Sequence, residues 1–120
     1  MIKVESILII SSQTPVGLCS ELRGFVKKIN PSLDLAYSPE NLRLGEAINC
    51  YLNPDRIILG TASKETEKKC ILLFKQISKD LLTMSMESAE LVKHGINSFL
   101  ATSIVFSNQL ADVCDQKNAN

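Results

Sequence analysis

The sequence predicts an α/β fold: a mostly parallel sheet of about four strands, flanking helices and a long C-terminal helix. Three observations predict it. Short apolar runs rich in β-branched residues, such as Ile7-Leu8-Ile9-Ile10, suit strands buried on both faces. Amphipathic stretches with helix-start chemistry alternate with them. From about Glu87 to about Asp115 there is no proline, and the only glycine is Gly95.

Taken in order, the run Ile7 to Ile10 leaves through polar Ser11-Ser12-Gln13. Thr14-Pro15 reads as a helix start, with Thr14 as N-cap and Pro15 at the first helical position. Leu18, Leu22, Phe25, Val26 and Ile29 form its apolar stripe, and Asn30-Pro31 stops it. Leu33 to Tyr37 is the second strand, ending at Ser38-Pro39-Glu40. Strand, helix, strand with polar residues at both exits is the pattern of a parallel crossover. Residues 41–51 read as a loop with a short helix. The tight return at Asn53-Pro54-Asp55 lets the third strand, Arg56 to Gly60, run antiparallel. Ser63 caps the next helix, with Glu65 and Glu67 in its first turn where the helix dipole favours negative charge. Its expected apolar face is Cys70, Phe74, Ile77 and Leu81, and Thr83-Met84-Ser85 is a short fourth strand. On the long helix, apolar residues such as Leu91, Ile96, Phe99, Ile104, Phe106 and Leu110 wrap more than one face. Such a helix needs more protein to cover it, or a second copy. The expected division is therefore 1–86 for the sheet domain and 87–120 for the helix and its polar tail.

Composition excludes several classes. Thirteen basic residues balance thirteen acidic ones, which argues against a nucleic-acid partner. Aromatics are 5% and tryptophan is absent, so base-stacking platforms are not expected. No apolar run approaches the ~20 residues of a membrane helix. The Ile7–Ile10 run follows Lys3 and Glu5 and lacks a secretory cleavage site, so a cytoplasmic protein is expected. Cys19, Cys50, Cys70 and Cys114 show no C-x-x-C spacing and meet only one histidine, His94; free thiols and no metal are expected. The Gly-x-Gly-x-x-Gly fingerprint, the P-loop and the Gly-x-Ser-x-Gly elbow do not occur.

Five residues are candidates for chemistry. Glu40 stands at a strand's carboxyl end, where open α/β sheets bind ligands. Ser12 and Gln13 lie at the exit of the first strand beside a helix N-terminus, where an anion or cofactor docks. Lys93 and Asn97 are four apart on one face of the long helix, on a line that Leu100 and Ile104 continue. On its own, that lysine is either a snorkelling stem or a charge aimed into a site.

Four segments in order carry a resemblance: Ser11-Ser12-Gln13-Thr14-Pro15-Val16-Gly17, then Tyr37-Ser38-Pro39-Glu40-Asn41-Leu42-Arg43-Leu44-Gly45, then Asn53-Pro54-Asp55-Arg56-Ile57-Ile58-Leu59-Gly60, then the run from Ala89 to Ala101 containing Glu90, Lys93 and Asn97. This series resembles the UDP-glucose/GDP-mannose dehydrogenase family from about Ile7 to about Asp115. The resemblance implies the second half of a Rossmann-like NAD-binding domain followed by the family's central helix. It implies NAD as cofactor, a nucleotide sugar as substrate, and a homodimer through the long helix. Family enzymes oxidise the C6 alcohol to a carboxylate through a nucleophilic cysteine, by way of thiohemiacetal and thioester intermediates. By the same resemblance Glu40 matches the acid that helps bind substrate and serves as base in thioester hydrolysis. Lys93 matches the lysine that stabilises oxyanion charge or donates a proton, and Asn97 the asparagine that orients substrate. These residue types suit proton transfer and the stabilisation of developing negative charge.

Departures limit the match. Gln13 stands where many members carry a threonine, and Leu44 where many carry a second glutamate. Cys114 lacks the glycines that flank the family nucleophile, so it reads as structural. The expectation is a fragment of a nucleotide-sugar dehydrogenase, inactive alone. The alternatives are a non-catalytic dimerisation or binding module that keeps the central helix, and an enzyme completed by a separately encoded chain.

Overall fold

A computed structural model of the chain describes residues 6–42 and 44–119. Lys3, Glu5 and Arg43, quoted above, lie outside the described residues. Eight elements follow in order: β1 (Ile7–Ile10), α1 (Leu18–Ile29), β2 (Asp34–Tyr37), α2 (Ala47–Leu52), β3 (Ile57–Thr61), α3 (Lys64–Phe74), β4 (Leu81–Met84) and α4 (Met86–Lys117). The strands form one sheet in the order β1-β2-β3-β4. β1 and β2 pair in parallel, as do β3 and β4; β2 and β3 are antiparallel through Ala36↔Thr61 and Tyr37↔Gly60. The sheet is thus mostly parallel, with the antiparallel step where the Asn53-Pro54-Asp55 return foresaw it.

Two β-α-β units pointing in opposite directions, each joined by a right-handed crossover, place their helices on opposite faces. That is the observed packing. Leu35 and Tyr37 of β2 and Ile58 of β3 meet Cys19 of α1 and Met86 and Ala89 of α4 on one face. Ala36, Leu59 and Cys70 form the core on the other face, under α3. Neighbouring strand residues go to opposite sides, as a period of two demands.

Glycine fixes the entry of α4. A Cβ on Gly60 would stand 2.8 Å from Ala89 Cβ and 2.9 Å from Met86 Cα, so the end of β3 and the first turn of α4 touch backbone to backbone. From that contact α4 runs back toward the exits of β1 and β2. Ser85 caps it, accepting from the Ser88 amide. At 32 residues the helix is about 48 Å long. Only its first turns are covered: Met86, Ala89 and Glu90 are buried, whereas Phe99, Ile104, Phe106 and Leu110 are exposed.

Several expectations need correcting. Thr14 is not the cap of α1: the helix begins at Leu18 with Gly17 as N-cap at φ 96°, a left-handed conformation that suits glycine. Residues 14–17 instead make a turn closed by Leu18 N donating to Pro15 O. Phe25 and Ile29 of the α1 stripe stay exposed, since only the Cys19 side meets the sheet. The apolar face expected for α3 does not continue through Ile77 and Leu81. The helix stops at Phe74, and Leu81 opens β4, which lies two residues earlier than expected because it pairs from Ile57↔Leu81. Ser63 does cap α3, accepting from the Thr66 amide.

Candidate active site at the strand exits

The exits of β1 and β2 are adjacent because the strands are parallel and paired. Ser38 N donates to Ile10 O at 2.9 Å, and Glu40 N to Ser11 O at 3.1 Å. α4 crosses over these exits. Glu90, Lys93, His94 and Asn97 are spaced i, i+3, i+4 and i+7, which puts all four on one helix face.

Each reaches across the chain. Lys93 Nζ donates to Asn41 Oδ1 at 3.1 Å. Asn97 Nδ2 donates to Gln13 Oε1 at 2.7 Å. His94 Nε2 lies 2.8 Å from Thr14 O, and its Nδ1 lies 3.1 Å from Gln13 Nε2. From one face of α4, Lys93 thus reaches Asn41 on the β2 exit and Asn97 reaches Gln13 on the β1 exit. Glu40 is exposed on the β2 exit next to Asn41, the lysine's partner. Ser12 is exposed on the β1 exit next to Gln13.

Beneath this layer sits Glu90, which is fully buried. Its carboxylate accepts from Gly17 N at 2.6 Å, from Cys19 N at 3.0 Å and from the Thr14 hydroxyl at 3.1 Å. Burial pushes this carboxyl up, but the amides of Cys19 and Gly17 and the Thr14 and Cys19 side chains outweigh it, so it lies below the ordinary glutamate range. The free amides at the start of α1, which a sequence reading reserves for an outside anion, are thus met from within by α4. Cys19 pays the electrostatic consequence: desolvation first, then its hydrogen bond to Glu90, raise its thiol to about 12. That thiol is not a nucleophile. Glu87 adds a second tie between the helices, accepting from the Ser20 hydroxyl.

Sequence reasoning passed over Glu90 and His94 as functional positions. The signal for both was available: they occupy the Lys93–Asn97 face, and a carboxylate three residues after Met86-Glu87 on the covered end of an otherwise apolar helix needs internal donors. Cys50 and Cys114 are partly buried, Cys19 and Cys70 are buried, and all four are free thiols. Among the described residues there is no cluster of three or more His, Cys, Asp or Glu fit to hold a metal, and no helix is long and apolar enough to cross a membrane.

An α/β sheet with a polar cluster at its parallel strand exits, overlain by a long helix, has a Rossmann-like architecture. The comparisons specify the family. Residues 1–78 match the model of the UDP-glucose/GDP-mannose dehydrogenase family, NAD binding domain, and residues 87–120 match that family's central domain; the chain belongs to this family. It is 38% identical over 123 residues to the UDP-glucose 6-dehydrogenase of Rickettsia prowazekii (strain Madrid E), covering 99% of this chain and 28% of that protein. It is 32% identical to UDP-glucose 6-dehydrogenase YwqF of Bacillus subtilis (strain 168), again across 99% of this chain and 28% of the relative. Among solved structures, the UDP-glucose dehydrogenase of Pyrobaculum islandicum superposes with a TM-score of 0.79 at 28% identity, over 88% of this chain and 26% of that one. A GDP-mannose dehydrogenase from Pseudomonas aeruginosa gives 0.87 at 18% identity, over 98% and 29%, a likeness of fold. The chain thus spans little more than a quarter of these relatives.

Proposed function

We propose that this chain supplies the substrate-side residues of an NAD-dependent nucleotide-sugar dehydrogenase, an enzyme that oxidises the C6 alcohol of a UDP- or GDP-sugar to a carboxylate. One observation carries the reading: from one face of α4, Lys93 reaches Asn41, the residue after Glu40 on the β2 exit, and Asn97 reaches Gln13 on the β1 exit. Lys93 brings a cation to a substrate oxygen that gains negative charge, and the Asn97 carboxamide orients the sugar beside it. Glu40, exposed and acidic, would take a proton from water. NAD, when bound, accepts hydride. Ser12 and Gln13 would border it at the β1 exit, but the α1 amides hold no phosphate, because Glu90 occupies them.

The division at 1–86 and 87–120 follows the same reading, as do a cytoplasmic setting and a homodimer. The exposed Phe99, Ile104, Phe106 and Leu110 of α4 support the homodimer, since a two-fold pairing buries the same patch on both copies. That patch also favours the second reading, a dimerisation module without catalysis.

A chimera distinguishes the two. These 120 residues replace the matching stretch of the Rickettsia prowazekii enzyme, and NADH formation with UDP-glucose is followed. The dehydrogenase reading predicts turnover that Lys93→Ala and Asn97→Ala each lower at least tenfold. A folded chimera whose turnover neither substitution changes would overturn it.

A further inference from the structure

His94, Gln13 and Asn97 form a hydrogen-bond relay whose proton positions the geometry dictates. Thr14 O only accepts, so His94 Nε2, 2.8 Å away, carries the proton and donates. Gln13 Nε2 only donates, so His94 Nδ1, at 3.1 Å, accepts and the ring is neutral. The other end of the Gln13 amide, Oε1, must then accept, and it does so from Asn97 Nδ2 at 2.7 Å. Each group is held in one orientation by the one before it, and the chain is anchored at a backbone carbonyl. Asn97 is left with Oδ1 turned away from Gln13.

We propose that His94 and Gln13 are positioning residues that select which end of the Asn97 carboxamide faces substrate, with the proton on His94 as the selector. This rests on the reading that Asn97 faces substrate. When Nδ1 takes a proton from solvent it becomes a donor, and the Gln13 amide must turn by 180° to present Oε1. Gln13 Nε2 then faces Asn97, which must turn in its place to present Oδ1. The group left toward substrate changes from a carbonyl to an NH2. The neutral ring therefore sets Asn97 as an acceptor for a sugar hydroxyl, and the protonated ring sets it as a donor. Around the ring, the charged groups of the packed elements are Glu90 and Lys93 on α4 and Glu40 on the β2 exit; residues 11–17 carry no charge. Glu90 is committed to Gly17, Cys19 and Thr14, and Lys93 to Asn41, so neither replaces Gln13 as the ring's partner.

His94 is the single histidine of the chain, so its ring nitrogens can be read by NMR without overlap. On the 15N-labelled chain the neutral ring is expected to show the Nε2–H tautomer. The Asn97 and Gln13 side-chain amide signals are expected to move with the same midpoint as the ring when pH is lowered. In Gln13→Ala the Asn97 amide no longer follows the ring, and in Gln13→Glu, whose carboxylate accepts from Asn97 in either state of the ring, it does not follow either. An Nδ1–H tautomer, or an Asn97 amide that follows the ring equally in Gln13→Ala, overturns the relay. Addition of UDP-glucose to the same samples separates the two claims. A coupled relay with no response of Asn97 to the nucleotide sugar sinks the substrate reading alone, and a response without coupling sinks the relay alone.

Discussion

Replacing Glu90 with alanine removes the buried group that ties α4 to the β1–α1 turn and the start of α1. Three donors lose their acceptor: Gly17 N, Cys19 N and the Thr14 hydroxyl. A hydrogen bond to a charged group contributes about 1.5–3 kcal/mol, and a buried donor left unpaired costs about 1–3 kcal/mol. The Thr14 hydroxyl can rotate to another acceptor and Gly17 is only partly buried, so the full sum does not apply; Cys19 N, in a fully buried residue, has no such escape. The expected loss is about 3–5 kcal/mol, a large share of the ~5–15 kcal/mol that holds a small domain together. Glu90→Gln keeps one acceptor oxygen but sets an NH2 against a backbone N–H, so it should lose about 2 kcal/mol. Urea unfolding followed by far-UV circular dichroism measures both. With a slope of about 1–2 kcal/mol per M, the alanine variant's midpoint falls by roughly 2–3 M. The acid dependence supplies a second check. The Glu90 carboxyl lies below its ordinary value of 4.5 when folded, so its contribution is present above that pH and fades as pH falls through the lower folded value. Wild type and Glu90→Gln should therefore converge in acid. A loss under 1 kcal/mol for both variants at neutral pH would refute the claim that Glu90 holds α4 in place.

Three further outcomes are expected. Asp34, at the start of β2, is pushed up by burial, but hydrogen bonds from Arg23, Thr66 and the Leu35 amide win and hold it at about 2, against an ordinary 3.8. Asp34→Asn should cost about 2 kcal/mol at pH 7 in urea unfolding, a difference that shrinks as pH falls from about 4 to 2. In a native thiol titration at pH 8, Cys50 and Cys114 should react first, while buried Cys19 and Cys70 react only after unfolding; early reaction of Cys19 would contradict its raised pKa. Phe106→Glu, at a 64% exposed position of α4, should shift sedimentation velocity from dimer toward monomer, and a parent chain monomeric at high micromolar concentration would refute self-association.

Much of the fold could be read from the chain because the governing signals are local. The Ile7–Ile10 run, the Ser63 cap and the proline-free stretch after Glu87 each depend on a few neighbouring residues, and each became the expected element. The antiparallel step at β3 was also legible, from the Asn53-Pro54-Asp55 return. What failed was long-range. Thr14-Pro15 has the chemistry of a helix start, yet the amides of α1 are met by a carboxylate 71 to 73 residues later, so the helix begins at Leu18 with no cap side chain of its own. The candidate site divides the same way. Lys93 and Asn97 share a face by helical arithmetic alone. Their partners, Asn41 and Gln13, could be known only once the parallel pairing of β1 and β2 had brought the two exits under α4.

The central claim is that these exits, with Lys93 and Asn97 above them, are a nucleotide-sugar site. The direct measurement is a two-dimensional NMR titration of the 15N-labelled chain with UDP-glucose, with glucose and UMP as controls. A partial site should bind weakly, with Kd on the order of 1 mM, about −4 kcal/mol. The account predicts that UDP-glucose shifts signals of Gln13, Glu40, Lys93 and Asn97 together, and that Asn97→Ala abolishes the response at the other three. Saturating shifts confined to other residues, or no shifts at these four at several millimolar UDP-glucose, would contradict it.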